Sequence, residues 1–499
     1  MVVGAEEIPG RLSRRAANPV VTGRMLVAAV VLTVTVLLWH VFALPLDMPY
    51  YGLFDNGVDL AVYQAGGQTI RAGAGLYDVP VLFGMEFTYT PFAALVFMAL
   101  APLSLVTAET VWWAGTFAAL VALVGLCLRA MGYRNAVRTW VFALLLAVCC
   151  TALEPVRTTI WLGQINIFLA LLIVWDLTRP SAARWRGVGV GIAAGIKLTP
   201  VFFLVYLAWT RQWRSLGVSS GAFAATIILG FLARPGDSYS YWSRKVITSA
   251  RVGAVDSPGN QSVKGFLAQV LRFLKIERFS TNTAGMTVFQ PPAWLWLAVL
   301  LPVAALGLAA AARAHRTGRE LLAITVTGMT PTCVSPFSWG HHWVWFVPLV
   351  ILAWHHARTA VTRWAWFTPA VVVLIGFSWW WTFSDRPEIE GAPHPVGIGL
   401  FMMPRPDNSV WWAYITVPTY AGCYPLLLVA TSCYVLLRKP VWPSGDSGRR
   451  DPGVEAVLEV VEQGAGAAGQ GRGGGVRGVD VGAGGGETGQ DLDERARAQ

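Results

Sequence analysis

The chain has 499 residues, is 55% hydrophobic and only 13% charged, and holds 24 Trp and 23 Phe, whereas a soluble domain carries roughly 25% charged residues. Apolar runs of about 17 to 25 residues, each able to cross a hydrocarbon core of about 30 Å, recur from Met25 to Leu437. This excludes a water-soluble globule and predicts an all-α polytopic membrane protein. The formal charge of +10 does not mark a nucleic-acid binder, because Lys and Arg fall in short clusters at the ends of apolar runs, where they report orientation.

In chain order, Arg11, Arg14, Arg15 and Arg24 precede the run 25–44. That run is long for a signal sequence and no A-x-A cleavage site follows it, so it is read as a retained first helix behind a cytoplasmic N-terminus, residues 1–24. The basic clusters Arg129, Arg134 and Arg138; Arg179, Arg184 and Arg186; Arg211 and Arg214; Arg313, Arg316 and Arg319; Arg358 and Arg363; and Arg438 with Lys439 then lie inside. Segments 45–89, 154–158, 235–290, 335–342 and 383–408 lie outside.

Parity conflicts twice with simple crossings. Between the outer face and Arg129 there are two apolar runs, Phe92–Leu105 and Val111–Leu128, where one crossing is allowed, and the first is short and carries Pro91 and Pro102. It is the expected incomplete span. Residues 187–210 lie between two basic clusters and ask for a broken hairpin around Lys197–Pro200. The expectation is about 11 to 13 membrane segments over residues 25–439, with both termini inside. Residues 440–499 turn Gly-rich and polar and are expected to be a disordered cytoplasmic tail. The six Cys residues sit in or beside apolar segments without paired spacing in polar loops, and neither a metal site nor a cofactor is expected.

The unusual polar residues converge on the outer face. Asp55 and Asp59 occur in DNGVDLAVY, Glu154 and Arg157 in ALEPVRTT, Gln164 and Asn166 in WLGQINIF, Asn260 and Gln261 in SPGNQSVKG, and His341 and His342 in SPFSWGHHWVW. Ionisable groups at membrane depth are costly, so a shared cavity is the default inference. Lys197, inside GIAAGIKLTPVFF, carries an insertion cost of about 2.5 to 3.5 kcal/mol. It either snorkels to the interface or meets a buried anion such as a phosphate. Asp55 suits a turn, whereas the apolar neighbours of Asp59 raise its basicity, as a general base requires. The histidine pair is either a structural couple or part of the site.

These residues resemble the polyprenol-phosphate-dependent glycosyltransferases of the GT-C superfamily, specifically glycosyltransferase family 87, the alpha-(1→2)-mannosyltransferases of mycobacteria and related actinobacteria. The resemblance rests on VDLAVYQAGG, LYDVP, FTYTPFAAL, GQINIFLALLIVWDL, GIKLTPVFFLVYL, GNQSVKG and SPFSWGHHWVW in that order. It implies a GT-C-type fold in the plasma membrane with its active site in outer-face loops, a polyprenyl-phosphate mannose donor and a mannolipid acceptor: a phosphatidylinositol mannoside, lipomannan or lipoarabinomannan. It further implies Asp59 as the base, Lys197 and His341 or His342 at the donor phosphate, and Gln164 and Asn260 as sugar or phosphate contacts; Asn166, Gln261, Asp55, Glu154 and Arg157 are added as candidate substrate contacts by their place among the outer-face polar residues. An arabinosyltransferase using polyprenyl-phosphate arabinose is the alternative within this chemistry. A lipid carrier or secondary transporter is the alternative outside it, although no internal repeat is evident and a carrier does not need an outer-face carboxylate.

Overall fold

A computed structural model describes residues 19–42, 46, 52–247, 253–283, 286–377 and 408–437. The expectations for Arg11, Arg14 and Arg15, for the loop 383–407, for Arg438 and Lys439 and for the tail 440–499 lie outside the described residues. The described chain is almost wholly helical, an all-α polytopic membrane protein.

Helix α1 (Gly23–Phe42) shows how the membrane sets the pattern. Ala29, Thr33, Val36 and His40 are buried at spacings of three and four, while Val27, Val30, Val31 and Leu38 stay exposed as an apolar outer surface. Its inner face runs along α5 (Val137–Cys150), where the Thr33 hydroxyl donates to the Leu145 carbonyl at 3.1 Å. Helices α4 (Leu105–Ala130), α10 (Trp213–Ala233), α13 (Ala293–Arg316) and α17 (Ala413–Leu437) are likewise long and apolar enough to cross a membrane. A further candidate is α5 joined to α6 (Glu154–Leu162) through a bend of 82°. The other apolar pieces of the expected set, including α7 (Asn166–Leu177) and α14 (Glu320–Val334), are shorter.

The segment after α1, expected as a loop, contains helix α2 (Val58–Arg71). Leu60, Tyr63, Gln64, Gly67 and Ile70 form one buried stripe, so tertiary packing makes this stretch helical despite its two adjacent glycines. The short run beginning at Pro91 is a helix, α3 (Pro91–Phe97), ending in a 3-10 turn at Leu100. Its ten residues reach only about 15 Å. The Gln64 amide holds its end, donating to the carbonyls of Leu100 and Leu103 at 3.1 and 2.8 Å.

Residues 187–210 fold as α8 (Val188–Ile196), a break at Lys197 and α9 (Phe202–Trp209). Gly187, Gly191 and Gly195 line α8 at spacings of four and press successively on Ser215/Ser219, Ser219/Ala222 and Thr226 of α10. Thus α8 runs alongside α10 in the same direction, and α9 must bring the chain back. Arg186, just before α8, donates to the Gln212 side chain, just before α10, at 2.6 Å. Both legs therefore begin and end at one end of the molecule, with Lys197 at the tip. Asp176, fully buried at the end of α7, accepts from the amides of Gly187 and Val190 at 2.9 and 3.1 Å and caps α8.

The loops expected on a common face bond to one another. At one end Arg186 pairs with Glu320 at 3.2 Å, Tyr206 donates to Glu320, Arg313 donates to the Val435 carbonyl, and Tyr133 meets His355. At the other end Leu76 donates to Asp237 and Gln261 donates to the carbonyls of Ser338 and Tyr420. The long segment expected outside also carries helices α11 (Pro235–Ser243) and α12 (Val263–Phe273) and a small hairpin, Ser280–Thr283 paired antiparallel with Met286–Phe289. Helices α15 (Phe346–Thr359) and α16 (Phe367–Phe377) complete the described helical set.

Replacing Gly191 by Val forces α8 away from α10, at an overpacking cost of about 1–3 kcal/mol. Thermal unfolding of the purified protein in detergent should show a midpoint several degrees lower. Gly221→Val, whose added atoms meet open space, should leave the midpoint unchanged, and equal midpoints for both variants would contradict the close approach of α8 and α10.

Candidate active site

Two glycines set the position of Asp59. Asn56 Oδ1 accepts from the Val58 amide at 3.0 Å, and Gly57, with φ of 58°, donates its N–H to the Trp161 carbonyl at 2.9 Å. Helix α6 ends at Gly163, with φ of 70°, directly against Leu60 of α2, where a side chain would collide. The start of α2 is thus seated on the end of α6. Asp59, in the first turn of α2, then faces Gln164, the residue after Gly163. Gln164 Nε2 donates to Asp59 Oδ2 at 2.6 Å. The helix N-terminus favours the anion there. Burial nevertheless dominates and pushes the Asp59 carboxyl up to about 6, while the Gln164 bond and the Lys197 charge pull in the opposite direction.

From Gln164 the network continues to Lys197. Gln164 Oε1 accepts from Tyr63 and Tyr89 at 3.0 and 3.1 Å, and these two hydroxyls are 2.7 Å apart. Lys197 Nζ donates to Asn166 Oδ1 at 2.9 Å and approaches the Tyr89 hydroxyl at 3.4 Å. Asn166 Nδ2 donates in turn to the His341 carbonyl at 2.8 Å. Among the described residues no ion pair within 4.0 Å joins Asp59 to Lys197. Beside Lys197 is a small cavity lined by the polar Asn166, Thr199, Thr332 and His342 and by the apolar Leu169, Ile173, Phe203, Val344 and Trp345. Its lining thus joins hydrogen-bonding groups beside Lys197 to apolar side chains. Among the described residues no group of three or more His, Cys, Asp or Glu side chains is arranged to hold a metal.

The sequence profile of glycosyltransferase family 87 matches residues 87–336. A Mycolicibacterium smegmatis protein named as a polyprenol-phosphate-mannose-dependent alpha-(1-2)-phosphatidylinositol pentamannoside mannosyltransferase is 30% identical over 353 residues, 68% of this chain and 80% of the relative. The chain belongs to glycosyltransferase family 87.

A Mycobacterium tuberculosis protein named as a polyprenol-phosphate-mannose-dependent alpha-(1-2)-phosphatidylinositol mannoside mannosyltransferase is 28% identical over 426 residues, 81% of this chain and 91% of that relative. A second one from M. tuberculosis, named for the pentamannoside, is 33% identical over 352 residues, 68% of this chain and 76% of the relative. No solved structure matches. The family 87 profile takes in Tyr89, Gln164, Asn166 and Lys197, begins after Asp59 and ends before the histidine pair.

The other candidates of this family 87 chain are placed differently. His342 lines the cavity beside Lys197, whereas His341 is buried and supplies its backbone carbonyl to Asn166 and to the Thr159 hydroxyl. Burial first, then the Lys197 charge, holds both rings well below the usual histidine range, so His342 offers a neutral N–H or lone pair. Asp55 is exposed in the turn ahead of α2. Glu154 and Arg157 are fully buried, Glu154 receiving the Tyr424 hydroxyl at 2.7 Å and Arg157 lying 3.2 Å from His40. These bonds join α6 to α17 and α1, not to Asp59. Asn260 and Gln261 are also fully buried: Asn260 bridges the Val255 carbonyl and the Ser338 amide at 2.8 and 3.0 Å, and Gln261 reaches the Tyr420 carbonyl at 2.9 Å. Through Ser338, both residues fasten the loop that leads into the histidine pair. Tyr63 and Tyr89 were not among the expected site residues. The spacing of Asp59 and Tyr63, four apart on one helix, signals Tyr63; no spacing signals Tyr89.

Because the Lys197 charge acts on Asp59, Lys197→Met should raise the Asp59 pKa above about 6. Infrared titration of the carboxyl stretch, assigned by its loss in Asp59→Asn, measures this. An unchanged midpoint would show that the two groups do not share one environment.

Proposed function

We propose that this chain transfers mannose from polyprenyl-phosphate mannose to the 2-hydroxyl of a mannose on a phosphatidylinositol mannoside, lipomannan or lipoarabinomannan. The observation that carries the reading is the joint placement of Asp59 and Lys197 in one network, held apart by uncharged side chains, with Lys197 beside a cavity of mixed polar and apolar lining. The names of the family 87 relatives supply the donor and the phosphatidylinositol mannoside class of acceptor.

In the proposed reaction Asp59 accepts the proton of the acceptor hydroxyl as that oxygen attacks the anomeric carbon. The new glycosidic C–O bond forms while the bond from the anomeric carbon to the phosphate oxygen breaks. Polyprenyl phosphate leaves with the electron pair, and the single displacement inverts the anomeric configuration. Lys197 holds the phosphate charge and His342 contributes a hydrogen bond. A phosphate leaves without a general acid, so one carboxylate suffices, unlike the pair used in glycoside hydrolysis. The positive-inside rule puts the Arg179–Arg186, Arg211–Arg214 and Arg313–Arg319 end in the cytoplasm and the Asp59 end outside.

The test is transfer of labelled mannose from polyprenyl-phosphate mannose to mannolipids in membranes containing the chain. Asp59→Asn should lower transfer by about 10²-fold or more while donor binding persists, and near-normal turnover would remove Asp59 as the base. The pH dependence has a definite sign: the base must be ionised and its pKa is raised to about 6, so wild-type transfer should be full near pH 7.5 and fall as pH drops through about 6. A rate that stays flat to pH 5 would contradict the assignment.

A further inference from the structure

The hydrogen-bond network has a direction imposed by its two ends. Lys197 can only donate and an ionised Asp59 can only accept. Tyr89 therefore receives from Lys197 and passes its own hydrogen onward, to Gln164 Oε1 at 3.1 Å or to Tyr63 at 2.7 Å. Tyr63 also donates to Gln164 Oε1, at 3.0 Å, and Asn166 Nδ2 lies 3.5 Å from the same oxygen. With its oxygen so surrounded, the Gln164 amide has one favourable orientation, and its NH₂ is committed to Asp59 Oδ2. Tyr63 and Tyr89 are themselves locked: their rings meet edge-on with centroids 5.0 Å apart, and Tyr63 stacks on Phe97 at 4.3 Å.

We infer that Tyr63 and Tyr89 are paired positioning residues: by holding Gln164 Oε1 they orient the amide, which occupies Asp59 Oδ2 and leaves Oδ1 as the oxygen that takes the acceptor's proton. This rests on the reading of Asp59 as the base. Neither phenol needs to touch the reacting atoms. Their shared target makes them redundant, since either alone can keep the amide from flipping.

The experiment compares Tyr63→Phe, Tyr89→Phe, the double variant and Gln164→Leu in the same transfer assay, with donor KM, kcat and the pH profile recorded for each. Each single variant should lower kcat about threefold and the double variant about thirtyfold or more, exceeding the product of the singles because the pair acts on one group. In the double variant and in Gln164→Leu the Asp59 anion loses its fixed donor, so the acid limb should move up by about half a pH unit or more, with donor KM little changed. Should the double variant fail to fold, Gln164→Glu keeps the side-chain size, sets a second carboxylate against Asp59 and should shift the limb further in the same direction. Multiplicative losses with an unmoved acid limb, or an unmoved limb in both Gln164 variants, would overturn the inference while leaving Asp59 as the base. Retained transfer in Asp59→Asn would instead remove the reading beneath it.

Discussion

A carboxylate and an ammonium placed together in an apolar environment ordinarily collapse into an ion pair, and here they do not. Asp59 and Lys197 are each satisfied by uncharged neighbours, Gln164 on one side and Asn166 with Tyr89 on the other. Desolvating either charge carries a penalty of several kcal/mol, which direct pairing would partly relieve. Keeping them separate requires a framework stiff enough to forbid that approach. The positions of α2, α6, α7 and the α8–α9 hairpin can all be understood as meeting this requirement.

Each of these elements is held by hydrogen bonds or close contacts to its neighbours. The α2–α6 joint depends on Gly57 and Gly163, because only a residue tolerant of positive φ lets the two helix ends meet. The hairpin tip that carries Lys197 is fixed from its base, where Asp176 caps α8 and Arg186, Gln212 and Glu320 tie its two legs together. The turn with His341 and His342 is fixed by Asn260 and Gln261. Buried polar networks of this kind give specific geometry when every member is satisfied. The apolar outer surface, exemplified by α1, supplies no such specificity and only matches the lipid.

What could be read from the sequence follows from which residues violate their surroundings. Lys197 and Asp59 stood out because each interrupts an apolar run, and the break around Lys197–Pro200 followed from charge parity. Gln164 and Asn166 stood out within WLGQINIF for the same reason. The same logic does not sort the candidates by role. Glu154, Arg157, Asn260 and Gln261 are equally unusual in sequence, and their hydrogen bonds to residues of other elements, far apart in the chain, appear only in three dimensions. Tyr89 was hidden because a tyrosine near a membrane surface is ordinary, and its importance lies in contacts with residues 26, 75 and 108 positions away. Helix α2 was hidden because its helicity comes from tertiary burial of Leu60, Tyr63, Gln64 and Gly67 on α3 and α6 and not from propensity.

The central claim is that one chamber holds the base and the phosphate cation on opposite sides of the sugar to be moved. An experimental structure with a non-transferable polyprenyl-phosphate mannose analogue bound tests it most directly. The account requires phosphate oxygens within hydrogen-bond distance of Lys197 Nζ, the lipid tail entering the cavity lined by Leu169, Ile173 and Phe203, and the anomeric carbon turned toward the Asp59 side. A phosphate bound away from Lys197, or a sugar with no open path to Asp59, would contradict it.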